Sequence, residues 1–320
     1  MIEAVVLGRV GVDFTPAAPR TSLATATSFV RAVGGFAGNI GTGLARLGIS
    51  TAVVSSVGDD GHGYHVRSFL AGEGVDVASL VTRPGARTQV AFFEAWPPET
   101  FPVTFYRLAP APDTLLTLDD VPTATLQRAP LAIVSAALLA VEPARSTSLR
   151  ALEMRVASRA DRPESWTILD LDWRPTLWAD PGEAPDLVSR AAGLADVLIG
   201  SDAEFVAARL DPHEAPDPGP SLVAVKHGPD GVSAIARDDR WTVPGIAVDV
   251  VCGLGSGDAL TAAFAAGLLR GLDPPVALER GNAAGAIVAS RLMCSTSMPS
   301  PAEIDDLLAR RPTRSEEAHS

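Results

Sequence analysis

Short apolar, β-rich runs alternate with longer helix-patterned stretches along most of this chain, and that alternation restricts the folds open to it. The β-like runs cover residues 2–7, 51–57, 131–134, 167–171, 197–199 and 222–226, with helical patterns between them at 36–47, 62–71, 144–160, 186–192 and 203–210. Strands that are apolar throughout and separated by helices form a parallel sheet covered on both faces. The predicted class is therefore α/β, with ligands bound at the carboxyl ends of the strands. The C-terminal part adds a meander at 232–236 and 240–243, then two helices rich in small residues at 257–269 and 274–290. Two stretches interrupt the alternation. Residues 12–32 and 87–108 read as strands with turn punctuation, 89–95 and 103–107 among them, and we take them as a small β-sheet lid on the main domain. That domain is expected to run over 1–309, with a proline-rich surface loop at 211–220 and a polar, disordered tail at 310–320.

The segment richest in chemistry is Val248-Asp249-Val250-Val251-Cys252-Gly253-Leu254-Gly255-Ser256-Gly257-Asp258, a glycine turn that runs straight into an apolar helix. Backbone N–H groups at a helix start are unpaired and carry the positive end of the helix dipole, so Gly255, Ser256 and Gly257 can cradle an anion. Asp258 stands beside that cradle, where a carboxylate can take a proton from an attacking hydroxyl. An anion hole next to a base is the minimal kit for phosphoryl transfer to an alcohol. On its own the segment is equally compatible with a glycine turn and an acidic first-turn residue that the dipole favours.

A second constellation is Val33-Gly34-Gly35-Phe36-Ala37-Gly38-Asn39-Ile40-Gly41-Thr42-Gly43-Leu44-Ala45-Arg46-Leu47-Gly48. Ile40, Leu44 and Leu47 fall on one helix face, and Ala37, Gly41 and Ala45 give another that admits close backbone approach. Glycines within a helix cost ~1 kcal/mol each against alanine, so close packing or ligand contact must compensate. Gly34, Gly35 and Asn39 could meet hydroxyls of a polar ligand. Taken alone, the segment favours tight helix-on-sheet packing with Asn39 as a cap.

Charge and composition narrow the partners. The chain has 26 basic and 38 acidic residues, a net charge of −12, which argues against a nucleic-acid partner. No apolar run reaches the roughly 18 residues of a membrane span. The start has no basic n-region or cleavage site, and Cys252 and Cys294 have no metal-ligand spacing. A cytoplasmic protein with two buried structural thiols is the expectation. Lys226 is the only lysine among the 26 basic residues, and Val225 before it excludes the Gly-Lys-Ser/Thr of a Walker-type phosphate loop. Val223-Ala224-Val225-Lys226 is not a protein-kinase lysine strand either, because no His-Arg-Asp or Asp-Phe-Gly follows.

The two glycine segments, in their order and spacing, resemble the two signatures of the ribokinase-like (PfkB) carbohydrate kinase family. The resemblance implies an ATP-dependent sugar kinase with a central, mostly parallel sheet, helices on both faces, and a β-sheet lid that often forms a homodimer interface. It implies Asp258 as the base that deprotonates the acceptor hydroxyl, with Gly255, Ser256 and Gly257 holding the transferring phosphoryl group. Asp13, Gly34, Gly35 and Asn39 match sugar-contacting positions. Lys226, Gly228 and Gly231, within Lys226-His227-Gly228-Pro229-Asp230-Gly231, match a stretch near the nucleotide, and Asn282 matches the residue beside the adenine. Glu204 matches the family's glutamate that orders magnesium-bound water.

Further motifs are similar to the branch of this family that phosphorylates the 6-hydroxyl of 5-dehydro-2-deoxy-D-gluconate in bacterial myo-inositol catabolism. They are Gly8-Arg9-Val10-Gly11-Val12-Asp13, Phe93 to Pro102 followed by Phe105-Tyr106-Arg107, Leu169-Asp170-Leu171-Asp172-Trp173-Arg174-Pro175, and Ile287 to Ser295. A sugar acid carries a carboxylate, which Arg107 on the lid is able to bind in bidentate fashion, and Arg174 past a strand could meet either that carboxylate or the phosphates. Without the resemblance, a surface ion pair is the simpler account of each. Asp170 and Asp172 alternate on a strand and are expected on one side of it, where they could orient Arg174 or fix water on magnesium, or one could simply end the strand. The chain also departs from the family. Cys252-Gly253-Leu254 precede Gly255 in place of the usual Asp-Thr-Thr, which leaves activation by a monovalent cation open, and Ser256 replaces alanine with a hydroxyl that could contact phosphate. Ser201 stands where the family has asparagine, three residues before Glu204. A kinase for fructose or 2-keto-3-deoxygluconate, and a non-catalytic sugar-sensing relative, are the competing readings.

Overall fold

The computed structural model describes residues 1–161, 164–214 and 219–310. In chain order its elements begin with β1 (Ala4–Leu7), β2 (Gly11–Pro16), β3 (Phe29–Gly34), α1 (Phe36–Arg46), β4 (Thr51–Gly58), α2 (Gly61–Gly72), β5 (Leu80–Arg83), β6 (Val90–Phe93) and β7 (Val103–Tyr106). They continue with α3 (Thr123–Arg128), β8 (Leu131–Ser135), α4 (Ala144–Ala157), β9 (Trp166–Asp170), α5 (Ala184–Ala192), β10 (Val197–Ser201), α6 (Asp202–Ala208) and β11 (Leu222–Lys226). The last are β12 (Gly231–Ala236), β13 (Arg240–Pro244), α7 (Ser256–Leu269), α8 (Pro274–Ala289) and α9 (Pro301–Ala309).

The main sheet runs β13-β12-β11-β10-β9-β8-β1-β4-β5, parallel throughout except for β12 and β13. Both of its faces are buried. Side chains alternate across a strand, so Val6, Ile133, Ile168 and Ile199 join Ile40 and Leu44 of α1 and Phe264 and Leu268 of α7 in one core. Their neighbours Val5, Leu7, Val134, Leu169 and Leu198 join Leu149 and Leu152 of α4 and Val188 of α5 in a second core on the opposite face. This double burial is why the strands read as continuous apolar runs. A smaller sheet, in the order β3-β2-β6-β7, leans over the carboxyl ends, with β2 and β6 parallel and the other pairs antiparallel.

Several elements differ from expectation. The short edge strand β5, the short helix α3 and the terminal helix α9 do not stand out in the periodicity, although Ser300 and Glu303 form a reciprocal cap at the start of α9. The lid strand expected at 89–95 is limited to Val90–Phe93, and the helix expected to reach 160 ends at Ala157. The expected tail lies outside the described residues apart from Arg310, as does the middle of the expected loop at 211–220. Among the described residues no helix is long and apolar enough to cross a membrane.

Candidate active site

The first turn of α7 is built on a left-handed residue. Gly255 caps the helix with φ 80°, and a Cβ there would lie 2.7 Å from the Cβ of Cys294, so both conformation and space require glycine. Of the first-turn amides, the Ser256 N–H makes a long bond of 3.4 Å to the Gly253 carbonyl, and the ammonium of Lys226 packs against this turn, 3.6 Å from where a Gly257 side chain would begin. The Ser256 hydroxyl donates to the Gly253 carbonyl at 2.7 Å, so it braces the loop, contrary to the expectation that it is free to donate to phosphate.

Asp258 follows in the same turn and reaches α1. Asn39 Nδ2 donates to Asp258 Oδ2 at 2.6 Å. The two helices come close enough because Gly43 faces Ala262, where an added Cβ would sit only 2.9 Å from the alanine methyl. The cost of glycine inside α1 is thus offset by the approach of Asn39 to Asp258. Asn39 Oδ1 is buried without a partner. Burial and then the negative charge of Asp172 push the Asp258 carboxyl up to about 7, against the lowering effect of the Asn39 hydrogen bond. A carboxylate in that range is matched to accepting a proton near neutral pH.

Asp13 on β2 lies directly over Gly34, at a distance that excludes any side chain there. Burial raises its carboxyl to about 6, while Arg9 and the thiol of Cys294 pull it back. Gly35, with φ 82°, starts α1 against the backbone of Arg9 and Val10. Cys252 and Cys294 are both buried and free, and Cys294 packs between Asp13 and Gly255.

On the other wall, Lys226 at the end of β11 pairs with Asp170 at 3.2 Å and Glu204 at 3.9 Å. Burial disfavours its charge, but Asp170, Glu204 and Asp258 outweigh that and hold it protonated. Thr261 of α7 donates to Asp170 at 2.8 Å. Glu204 accepts the backbone N–H of Ser201 at 2.7 Å through one oxygen and that of Trp173 at 3.0 Å through the other. Ser201, at the position where the family has asparagine, is the N-cap of α6 and forms a capping box with Glu204. Gly228 and Gly231 both have positive φ and shape the turn between Lys226 and β12. Asn282 on α8 donates to the Pro244 carbonyl at 2.9 Å, tying α8 to the end of β13.

One expectation is corrected and another is narrowed. Asp170 ends β9, Asp172 beyond it has φ 34° and meets Arg9 and Ser135, and of the two it is Asp172 that pairs with Arg174. Arg107 is not a free cation for a ligand, because both terminal nitrogens bind the buried Asp113 at 2.8 Å and one also meets Gln89. Arg174 does face the cleft. It touches Asp172 at 3.2 Å and Glu204 at 3.8 Å, and Asp172 foremost holds it cationic, with Asp258 adding to the effect. Ser135 escaped sequence reading, and Arg9, two residues past β1, was quoted only within a motif and given no role.

The residues suit a nucleotide phosphate chain and magnesium. Among the described residues no cluster of three His, Cys, Asp or Glu side chains could hold a metal ion. Each Glu204 oxygen accepts one amide and keeps a lone pair, a donor set suited to magnesium held through water. Across residues 1–301 the chain matches the family model described as pfkB family carbohydrate kinase. It is 30% identical to the 5-dehydro-2-deoxygluconokinase of Clostridium tetani, over 97% of this chain and 94% of that one. The protein of the same name from Shouchella clausii is 31% identical, with 96% and 95% covered. In structure it is similar to an uncharacterized sugar kinase of Pyrococcus horikoshii in complex with ATP, with a TM-score of 0.81, 23% identity, and 95% and 99% covered. A buried carboxylate beside an amide-lined helix start, on this sheet and under this lid, accords with a match over nearly the whole chain: the protein belongs to the pfkB family of carbohydrate kinases.

Proposed function

We propose that this kinase transfers the γ-phosphoryl group of ATP to the 6-hydroxyl of 5-dehydro-2-deoxy-D-gluconate. The observation that carries the mechanism is Asp258, a carboxylate poised near neutrality at the mouth of the amide-lined first turn of α7. The name shared by the two curated relatives supports the sugar acid as acceptor.

In this reading Asp13 and Asn39 bind hydroxyls of the sugar, and the unpartnered Asn39 Oδ1 is the acceptor for one of them. Gly34 and Gly35 leave room for that contact. Asp258 accepts the proton of the 6-hydroxyl as the oxygen attacks. The amides of Gly255, Ser256 and Gly257, together with the Lys226 ammonium, stabilise charge on the transferring group. Glu204 would hold magnesium through water, and the ion would supply neutralisation of phosphate charge. Gly228, Gly231 and Asn282 border the nucleotide. Arg174 meets the carboxylate of the acceptor, since Arg107 is neutralised by Asp113. We further propose a cytoplasmic homodimer joined through the lid, whose exposed Phe29 and Tyr106, packed edge-on against Phe92, offer an apolar face.

ADP release measured with 5-dehydro-2-deoxygluconate, 2-keto-3-deoxygluconate and fructose tests the reading. The highest kcat/KM is expected for the first. A higher value for either of the others overturns the substrate, and thermal stabilisation by sugar without ADP release overturns the kinase in favour of a sensor.

A further inference from the structure

We infer that Arg9 and Ser135 are positioning residues for phosphoryl transfer, which clamp Asp172 so that it aims Arg174 into the cleft. The inference rests on the kinase reading above and concerns how its cation is held.

Sheet order brings the three clamp residues together. The strands β9, β8 and β1 are consecutive neighbours, and their carboxyl ends supply Asp172, Ser135 and Arg9 respectively. Arg9 Nη2 donates to both oxygens of Asp172, at 3.0 and 2.8 Å, and Ser135 Oγ donates to Oδ2 at 2.6 Å. The side chains of Arg9 and Asp172 are 5% and 2% exposed, so water competes little for these bonds. Asp172 also has φ 34°, a left-handed conformation uncommon outside glycine. Residues held in such a conformation cluster at functional sites, where surrounding contacts over-determine them.

From this fixed point Asp172 Oδ1 reaches outward to Arg174 Nη2 at 3.2 Å, and the Arg174 side chain remains 40% exposed. Arg174 is otherwise held by the carbonyl of Trp173 at 2.8 Å and by Glu204 at 3.8 Å. A long arginine on the rim of a cleft samples many rotamers, and a carboxylate locked from behind removes that freedom before substrate arrives. The backbone carbonyl of Arg9 also accepts the N–H of Ala37 at 2.9 Å. The clamp therefore joins the start of α1, which carries Asn39, to the loop that carries Arg174.

The test is a set of double-mutant cycles read by ADP release with the preferred sugar acid. Arg9→Lys, Ser135→Ala and Asp172→Asn are each expected to lower kcat/KM by about 10- to 100-fold. In an Arg174→Ala background Arg9→Lys and Ser135→Ala are expected to change kcat/KM by less than about 2-fold, since their effect passes through the missing side chain, whereas Asp172→Asn also removes a charge beside Asp258 and stays outside the cycle. Losses that multiply in that background overturn the inference and leave the kinase reading intact, because a merely structural weakening does not depend on Arg174. A wild-type protein that releases no ADP with any sugar overturns both. Ser135→Ala removes two hydrogen bonds, the one to Asp172 and the one from the Ala137 N–H at 3.2 Å, and carries the test if Arg9→Lys fails to fold.

Discussion

Asn39 Nδ2 and Asp258 Oδ2 meet at 2.6 Å across the contact between α1 and α7, so the residue read as a sugar ligand also holds the residue read as the base. A hydrogen bond to a carboxylate favours its ionised form, whereas burial and neighbouring Asp172 and Asp170 oppose it. The base is balanced between these effects.

Asp258→Asn is expected to lower kcat by about 10²–10⁴-fold while leaving nucleotide binding largely intact. Steady-state ADP release and nucleotide titration check it, and a variant that keeps more than about a tenth of kcat removes Asp258 from the role of base.

The same substitution is expected to stabilise the fold at alkaline pH. The Asp258 carboxyl rises from 3.8 to about 7 in the folded protein, so the folded state binds this proton more tightly than the unfolded chain does. Stability from that proton is complete below 3.8 and is lost as pH rises through 7. Thermal melting at pH 8 should therefore give a higher Tm for Asp258→Asn than for wild type, with the gain fading in acid. An unchanged or lower Tm at pH 8 contradicts the raised value.

In wild type, kcat/KM is expected to fall as pH drops through about 7, when the base becomes protonated. Asn39→Ala removes a bond that lowers the Asp258 pKa, so the acidic limb should move to higher pH. The pH–rate profile decides it, and a limb that moves the other way separates Asn39 from the base.

Gly43→Ala places a methyl 2.9 Å from Ala262 and 3.4 Å from the Met298 sulfur. The overpacked contact is expected to cost about 1–3 kcal/mol, and pushing α1 from α7 should also lower kcat. Urea unfolding combined with kinetics tests this. Full activity in a destabilised variant shows that the helix spacing does not control the base.

Arg107→Ala is expected to destabilise rather than to raise KM selectively, because it leaves the buried Asp113 carboxylate unpaired. Breaking such a pair costs about 3–5 kcal/mol, and Asp113→Asn in the same chain should recover much of it. A large rise in KM for the sugar acid at unchanged stability returns Arg107 to the ligand.

The strands, most helices and the glycine cradle were legible because their signals are local. A strand buried on both faces needs an unbroken apolar run, and a helix that opens on an anion needs small residues at its start, whatever the rest of the chain does. Arg174 was legible as a candidate, but its partners were not. Arg107 was misread because a cation within six residues of an aspartate gives no periodic sign that a 3-10 turn will bring the two together. The partners of Asp172 behind it, Arg9 and Ser135, were not legible because the strand period fails where β9 ends and φ changes sign.

A parallel α/β sheet, a lid, and a carboxylate next to a glycine-rich helix start are written in residues close together along the chain. Which charges neutralise one another follows from folding alone. Arg9 and Asp172 are 163 positions apart, and Asn39 and Asp258 are 219 apart. Electrostatic and hydrogen-bond energies depend on distance in space, and that distance is set by the order of strands in the sheet and by how closely two helices pack.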